Sequence, residues 1–151
     1  MAFPLPEPMR RALKLASAAA AEGEVPVGAV IVRGGTVVAE AANAPRRLAD
    51  PTAHAELLAI REAAAAIGAD RLEDCDLWVT LEPCAMCAGA IAHARIRRLY
   101  FGAPDPKGGA VEHGPRFFGQ PTCHHRPDIY AGVGAGQAAE LLRTFFRHRR
   151  P

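Results

Sequence analysis

One stretch of the sequence, which passes from an apolar run into two closely spaced cysteines, constrains the fold more than any other. The run at 77–80, Leu-Trp-Val-Thr, has the composition of a buried strand. Glu82 precedes a proline and is therefore biased toward an extended backbone. Pro83 suits the first turn of a helix, because the N–H that proline lacks would be unpaired there. A strand therefore ends and a helix begins here, with Cys84 and Cys87 on its first turn and both thiols on one helical face.

Two cysteines at this spacing have three interpretations: a redox pair, half of a zinc site, or two buried thiols. The start of a helix carries partial positive charge, which lowers the pKa of a thiol placed there. Two thiolates on one helical face would provide half of the ligands of a zinc ion. If zinc is the right interpretation, a second stretch of the chain has to supply another ligand.

That second stretch is 50–56, Asp-Pro-Thr-Ala-His-Ala-Glu. Imidazole is the usual nitrogen partner of two thiolates at zinc, and His54 provides one. Glu56 follows two residues later, a separation that places side chains about 200° apart in mid-helix. In the first turn of a helix both can reach one pocket, and Asp50 or Thr52 is the predicted N-cap of such a helix. The two helix starts, both at the C-terminal ends of strands, are expected to face one cavity.

Together the two stretches resemble the H-x-E…P-C-x-x-C signature of the zinc-dependent nucleobase deaminases. The resemblance implies that His54, Cys84 and Cys87 bind one Zn²⁺ per chain and leave the fourth tetrahedral position open for water. It also implies that Glu56 is the catalytic proton shuttle and not a ligand: it takes a proton from water, gives it to a ring nitrogen and helps ammonia to leave. The alternative from another class is a non-catalytic zinc module that binds RNA. Glu56 argues against it, since a structural zinc site would usually have a fourth protein ligand.

Length and composition indicate a single domain over residues 1–151. Half of the residues are hydrophobic, but no apolar run is long enough to span a membrane, and residues 1–8 lack the apolar core of a secretory signal. Four cysteines in a chain of this size do not suggest a disulfide framework. We therefore expect a cytoplasmic protein with no membrane association. The net charge is only +2, so the overall charge does not favour nucleic acid, yet residues 143–151 contain four arginines and two phenylalanines.

The hydrophobic periodicity predicts helices and strands that alternate after an opening hairpin. Helices are predicted at 8–21, 53–67, 84–94 and 136–149. Strands are predicted at 28–33, 36–41, 76–80, 98–102 and 129–133, with Gly34 and Gly35 as the hairpin turn. The segment 103–128 is expected to be irregular. This order predicts an α/β fold, a three-layer α/β/α sandwich with a mixed five-stranded sheet.

Beyond the two zinc stretches, nearly the whole chain is similar to the bacterial tRNA-specific adenosine deaminases, the TadA family. The matching blocks lie at 24–30, 43, 50–56, 79–90, 101–103, 105 with 107, and 145–150. Related deaminases share the middle blocks, whereas the final Phe-Phe-Arg-x-Arg-Arg is typical of the branch that acts on tRNA. The chain departs from the family at 124–126, which read His-His-Arg where the family often has Asn-His-Arg, and at Asp105, which two prolines flank.

This resemblance implies the cytidine deaminase-like fold and a homodimer that converts adenosine to inosine at the wobble position of a tRNA anticodon stem-loop. It also implies four substrate-binding residues. Asn43 would hold the target nucleoside and Asp105 would contact a neighbouring ribose. A C-terminal helix with Phe145 and Arg149 would meet the RNA loop through stacking and phosphate contacts. The alternative is a free-base deaminase of the same fold, acting on guanine or cytosine, and the residues leave this choice open.

The remaining histidines are not expected to bind the catalytic metal. His93 lies about 240° around its helix from the second cysteine of the pair. His113 and His148 are interpreted as surface residues. His124 and His125 are expected to line the substrate groove or to brace the irregular segment, with a second metal pair as the alternative.

Overall fold

The structure is a computed structural model that describes residues 4–149. The elements in chain order are α1 (Glu7–Ala21), β1 (Gly28–Arg33), β2 (Thr36–Ala42), α2 (Ala55–Ile67), β3 (Cys75–Leu81), α3 (Ala85–Ala94), β4 (Arg98–Ala103), a 3-10 helix (Phe117–Gly119), β5 (Asp128–Tyr130) and α4 (Ala135–Arg149). Arg150, the last arginine of the C-terminal motif, lies outside the described residues.

The five strands form one mixed sheet in the order β2-β1-β3-β4-β5. β1 is antiparallel to both of its neighbours, whereas β3, β4 and β5 are parallel. The hairpin between β1 and β2 turns at Gly34 and Gly35, whose φ angles of 55° and 79° suit a two-residue turn. α1 and α4 pack on one face of the sheet, and α2 and α3 on the other. The predicted three-layer sandwich with a mixed five-stranded sheet is confirmed.

The sheet separates two apolar layers of unequal size. Leu77 and Phe101 belong to the larger layer, which α2 and α3 cover, and Met9 and Val30 belong to the smaller layer under α1. Neighbouring strand residues point to opposite faces, so each strand contributes to both layers. α1 packs directly on the backbone of β1, because a Cβ at Gly28 would lie only 2.0 Å from a carbonyl oxygen of α1.

Both helices that follow the zinc stretches begin later than predicted. α2 begins at Ala55 instead of residue 53, and α3 begins at Ala85 instead of residue 84. His54 and Cys84 have extended backbones, with ψ of 149° and 176°, and are the N-cap residues of these helices. Pro83 therefore precedes the helix, and its predicted place in the first turn is wrong.

The C-terminal part of the fold also differs from the expected boundaries. β5 ends at Tyr130, earlier than the predicted residue 133, because Gly132 and Gly134 have φ angles of 79° and 75°, which interrupt an extended strand. The Val133 N–H still donates a 3.0 Å hydrogen bond to Phe101 O.

α1 and α4 have 15 residues each. No helix within residues 4–149 has both the length and the apolar character needed to cross a bilayer.

Candidate metal centre and active site

Three predicted metal ligands converge where α2 and α3 begin. β2 and β3 are both antiparallel to β1 and therefore run in the same direction, so the helices that follow them start at the same edge of the sheet. His54 Nδ1 lies 3.6 Å from Cys84 Sγ and 3.6 Å from Cys87 Sγ. The three ligand atoms all lie within 4.8 Å of one another, and within the described residues this is the one such group of metal-binding side chains.

The spacing of these atoms fits zinc. A tetrahedral zinc ion with ordinary Zn–S and Zn–N bond lengths separates sulfur from nitrogen by about 3.6 Å, which is the separation found here. Two thiols and one imidazole are also the donor set that zinc prefers. The group offers three protein ligands, so a tetrahedral zinc ion held by them would keep its fourth position for water or substrate.

Hydrogen bonds already prepare Cys84 for a metal. The Cys87 thiol and N–H, together with His54, lower the pKa of Cys84 to about 4 despite its partial burial. The pKa of Cys87 is raised, first by its hydrogen bond to Cys84 and then by burial and the nearby Glu56. The pKa of His54 is raised by its hydrogen bond to Cys84. Cys84 is therefore the group that most readily becomes a thiolate, the form that binds metals.

Glu56 lies beside this cluster and outside the ligand set. It occupies the first turn of α2, two residues after the N-cap, and is only 4% exposed. Burial raises its pKa to about 7, and the charge of Cys84 adds to that shift; its own N–H and the Cys87 thiol act in the opposite direction. A carboxyl group that titrates near neutral pH can both accept and donate protons.

The entry into α2 is capped from a different part of the chain than predicted. Asn43, which follows β2 and is 9% exposed, accepts a 3.3 Å hydrogen bond from the Ala55 N–H through Oδ1. Asp50 Oδ1 instead accepts bonds from the Thr52 N–H (2.9 Å) and hydroxyl (2.7 Å). The prediction that Asp50 or Thr52 is the N-cap is wrong, because these residues form a local turn before the helix.

Three of the four predicted substrate-binding residues line one cavity. Asn43, Phe145 and Arg149 border a cavity of about 350 Å³ that Arg46 and Phe146 also line. The Arg149 guanidinium lies 4.8 Å from the centre of the Phe145 ring, a favourable cation–π distance. Phe146 is 47% exposed, so this side of α4 is a mixed aromatic and basic surface and not part of the core.

Asp105 lies on a separate segment, the 104–113 loop that follows β4, and does not line that cavity. Its Oδ1 accepts hydrogen bonds from the N–H groups of Lys107 (3.2 Å) and Gly108 (2.9 Å). Its own N–H donates to Glu82 Oε1 at 3.0 Å. The position of Asp105 is therefore determined by a neighbouring buried carboxylate.

Sequence reasoning missed the role of that carboxylate, Glu82. Its side chain is fully buried and accepts bonds from the N–H groups of Asp105, Val111, Glu112 and His113, and from the His113 ring. Burial acts to raise its pKa, but these bonds outweigh it and hold the pKa below the usual value. The one indication of this role in the sequence is the position of Glu82, a charged residue between a buried strand and a cysteine pair.

Two histidines also contribute to this side of the molecule. His113 Nδ1 lies 2.7 Å from Glu82 Oε1, so this partly exposed histidine also contacts a buried carboxylate. His125 Nε2 lies 2.7 Å from the Ile96 carbonyl oxygen, so it braces the irregular segment, one of the two expected roles. His124 and His93 border a cavity of about 260 Å³ that none of the three metal-cluster residues lines.

Comparison with known proteins identifies the family. Residues 6–103 match the family described as the cytidine and deoxycytidylate deaminase zinc-binding region. The chain belongs to this deaminase family. The zinc cofactor predicted from the sequence is confirmed, and the cluster of His54, Cys84 and Cys87 is positioned as a site that could hold it.

Several known deaminases are similar to this chain in sequence and structure. A curated tRNA-specific adenosine deaminase from Agrobacterium fabrum is 58% identical over 142 residues, which cover 94% of this chain and 93% of the relative. A solved structure from biochemical and structural studies of A-to-I editing by tRNA:A34 deaminases at the wobble position of transfer RNA is 58% identical, with a TM-score of 0.88, covering 89% of this chain and 98% of that one. The solved guanine deaminase from Bacillus subtilis is 44% identical with a TM-score of 0.63, over 64% of this chain and 62% of its own. The resemblance to the tRNA-specific adenosine deaminases and the cytidine deaminase-like fold are confirmed.

Proposed function

We propose that this chain is a hydrolase that converts adenosine to inosine at the wobble position of a tRNA anticodon. The observation that carries the proposal is a cluster of three side chains that could hold a metal ion, those of His54, Cys84 and Cys87, with the buried Glu56 beside it. The 58% identity to a tRNA-specific adenosine deaminase over 94% of the chain supports the choice of substrate.

The reaction adds water to the ring carbon that bears the amino group and releases ammonia. When bound by His54, Cys84 and Cys87, zinc supplies the Lewis acidity that makes a water molecule nucleophilic near neutral pH. Glu56 accepts one proton of that water and delivers it to the adjacent ring nitrogen. Glu56 then transfers the second proton to the departing amino group, so both protons of the water are accounted for.

Residues from two parts of the chain position the substrate. Asn43 holds the target nucleoside, since its Oδ1 accepts the Ala55 N–H at the start of α2 and it borders the cavity that Phe145 and Arg149 also line. Phe145 offers a ring and Arg149 a charge for an RNA loop whose bases are unstacked. Asp105 contacts a neighbouring ribose from the 104–113 loop.

The assembly and location follow from the same proposal. We infer that residues 1–151 act as one deaminase domain and that the active form is a homodimer, as the resemblance to the TadA family implies. A substrate that is a tRNA anticodon stem-loop also implies a cytoplasmic location.

A free-base deaminase is the second candidate, and the 44% identity to a guanine deaminase favours it. The aromatic and basic surface of α4 favours RNA, because a pocket for a free base needs no such surface. The test is to incubate the purified protein in parallel with an anticodon stem-loop that carries wobble adenosine, with guanine and with cytosine, and to measure ammonia release. Release from the stem-loop alone supports the proposal, whereas efficient release from guanine or cytosine with the stem-loop untouched overturns it.

A further inference from the structure

The carboxylate of Glu82 binds a whole loop. Oε1 accepts the Asp105 N–H and lies 2.7 Å from the His113 ring nitrogen, and Oε2 accepts three successive N–H groups, from residues 111 to 113, at 2.9–3.1 Å. A carboxylate has about four lone-pair sites, all directed outward from its two oxygens. Five donors therefore use its whole accepting capacity.

The backbone around Glu82 reinforces this connection. The Glu82 N–H donates to Ala103 O, and the Ala110 N–H donates to Pro83 O, both at 2.9 Å. The loop can close on the carboxylate only because residue 109 is glycine, since a Cβ there would lie 2.5 Å from Glu82 Oε2. The loop is thus joined from both ends to the turn that carries Cys84.

We propose that Glu82 is a positioning residue, which fixes the 104–113 loop against the zinc-bearing turn and thereby sets where Asp105 meets the substrate relative to the metal. The substrate part of this inference rests on the proposed function. Glu82 lies two residues before Cys84, and its carboxylate binds the backbone of Asp105 itself, so one side chain links the metal ligands to the ribose contact. Glutamine cannot replace it, because an amide offers one acceptor oxygen and turns an NH₂ group toward N–H donors.

The experiment compares zinc-loaded wild type, Glu82→Gln and Glu112→Gln. The five hydrogen bonds that Glu82 accepts from the loop are called the anchor below. The Glu112 side chain is exposed on the same loop, so Glu112→Gln removes the same charge without changing the anchor. Glu82→Gln is expected to keep its zinc, to speed amide hydrogen exchange at residues 111–113 by on the order of tenfold or more, and to raise KM for the stem-loop by on the order of tenfold with a smaller change in kcat. Glu112→Gln is expected to match wild type in all three.

A modified substrate shows whether the effect passes through Asp105. Stem-loops with a 2′-deoxyribose next to the wobble adenosine lack the hydroxyl that Asp105 is proposed to contact. The deoxy substitution is expected to weaken the wild type and to have little further effect on Glu82→Gln, because the contact is already misplaced. Additive effects of the two changes would overturn the positioning role, as would unchanged loop exchange and KM in Glu82→Gln.

Gly109→Ala provides a second variant that leaves Glu82 intact. Its Cβ is expected to push the loop away from the carboxylate, which should speed exchange at residues 111–113 and raise KM by smaller factors than in Glu82→Gln. If Glu82→Gln does not fold, Gly109→Ala provides the test. Slow exchange at residues 111–113 in this variant, together with wild-type KM, would overturn the proposal. The exchange and zinc measurements need no substrate, so they test the anchor by itself. A wild type that is inactive on the stem-loop would instead contradict the proposed function.

Discussion

Two buried glutamates flank the metal centre, and their surroundings give them opposite properties. Glu56 is 4% and Glu82 is 2% exposed, so burial acts to raise the pKa of both. The pKa of Glu56 does rise, to about 7, because only its own N–H and the Cys87 thiol oppose burial by hydrogen bonding. The pKa of Glu82 is lowered, because hydrogen bonds from the 104–113 loop outweigh burial.

The comparison shows that low exposure alone does not decide what a carboxylate does in this protein. At Glu56 desolvation outweighs the few hydrogen bonds that oppose it, whereas at Glu82 the hydrogen bonds outweigh desolvation. A buried carboxylate with few donors can exchange protons near neutral pH, which suits a shuttle. A buried carboxylate whose oxygens are all occupied stays charged and holds structure, which suits an anchor. The following predictions test whether the two residues can be separated in this way.

The largest effect is expected from Cys87→Ala, which removes a metal ligand on the side of Glu56. Zinc should fall from about one ion per chain to almost none, and deamination should be lost with it, because two ligands do not hold a catalytic zinc. Exchange at residues 111–113 should remain slow, since the anchor at Glu82 does not involve Cys87. Metal analysis and hydrogen exchange measure the two outcomes. Cys123→Ala is the control for loss of a thiol outside the cluster, and full zinc in Cys87→Ala would reveal a different ligand set.

Glu56→Gln should lower turnover by at least roughly a hundredfold, the low end for a general acid–base residue. The amide has no titrating proton, but its shape is retained, so zinc content and fold should be unchanged. Glu62→Gln, an exposed change on the same helix, should leave turnover near that of wild type. Steady-state kinetics on the stem-loop provide the test, and nearly full activity in Glu56→Gln would remove the proton shuttle from the mechanism.

The same two glutamates should affect stability in opposite directions once zinc is removed with a chelator. At about pH 8, Glu56→Gln should stabilise the metal-free protein by roughly 1–3 kcal/mol, because a group with a folded-state pKa of about 7 is costly to keep charged. Glu82→Gln should destabilise it by roughly 2–4 kcal/mol, because buried N–H groups lose a charged acceptor. Denaturant unfolding of both variants checks this, and effects of the same sign would contradict the distinction.

Much of the metal centre could be predicted from sequence because its signals are local. The apolar run indicates a strand that ends before Pro83, the cysteine spacing puts two thiols on one face of the helix that follows, and His54 lies near the start of a second predicted helix. The sheet brings the two helix starts together. The strand positions and the hairpin turn at Gly34 and Gly35 were predictable for the same reason. These features depend on residues within a few positions of one another.

The parts that sequence did not reveal depend on partners far apart in the chain. Glu82 meets its donors 23 to 31 residues away, and Asn43 caps a helix 12 residues later. No local pattern records such contacts, so the sequence indicates neither the bond between His113 and Glu82 nor the bond from Asn43 to the start of α2. The roles of Glu56 in catalysis and of Asn43 in substrate binding stay predictions.

The smallest and most specific prediction concerns the pH at which each glutamate acts in the chelated protein. The folded-state pKa of Glu82 lies below its ordinary value of 4.5, so its stabilising contribution is fully present above that value and is lost as pH falls through the folded-state pKa. The difference in unfolding free energy between wild type and Glu82→Gln should therefore stay constant near neutral pH and shrink in acid.

Glu56 should behave in the opposite way and in a different window. Its folded-state pKa is raised to about 7 from 4.5, so the folded state holds this proton more tightly than the unfolded state does. The wild type should lose stability relative to Glu56→Gln as pH rises between these two values, and the loss should be complete above the upper one. Denaturant unfolding at constant ionic strength, from acid to mildly alkaline pH, would place the two changes. The two measured quantities are the differences in unfolding free energy between wild type and each glutamine variant. If both varied over the same range of pH, hydrogen-bond donors could not explain why Glu56 and Glu82 differ.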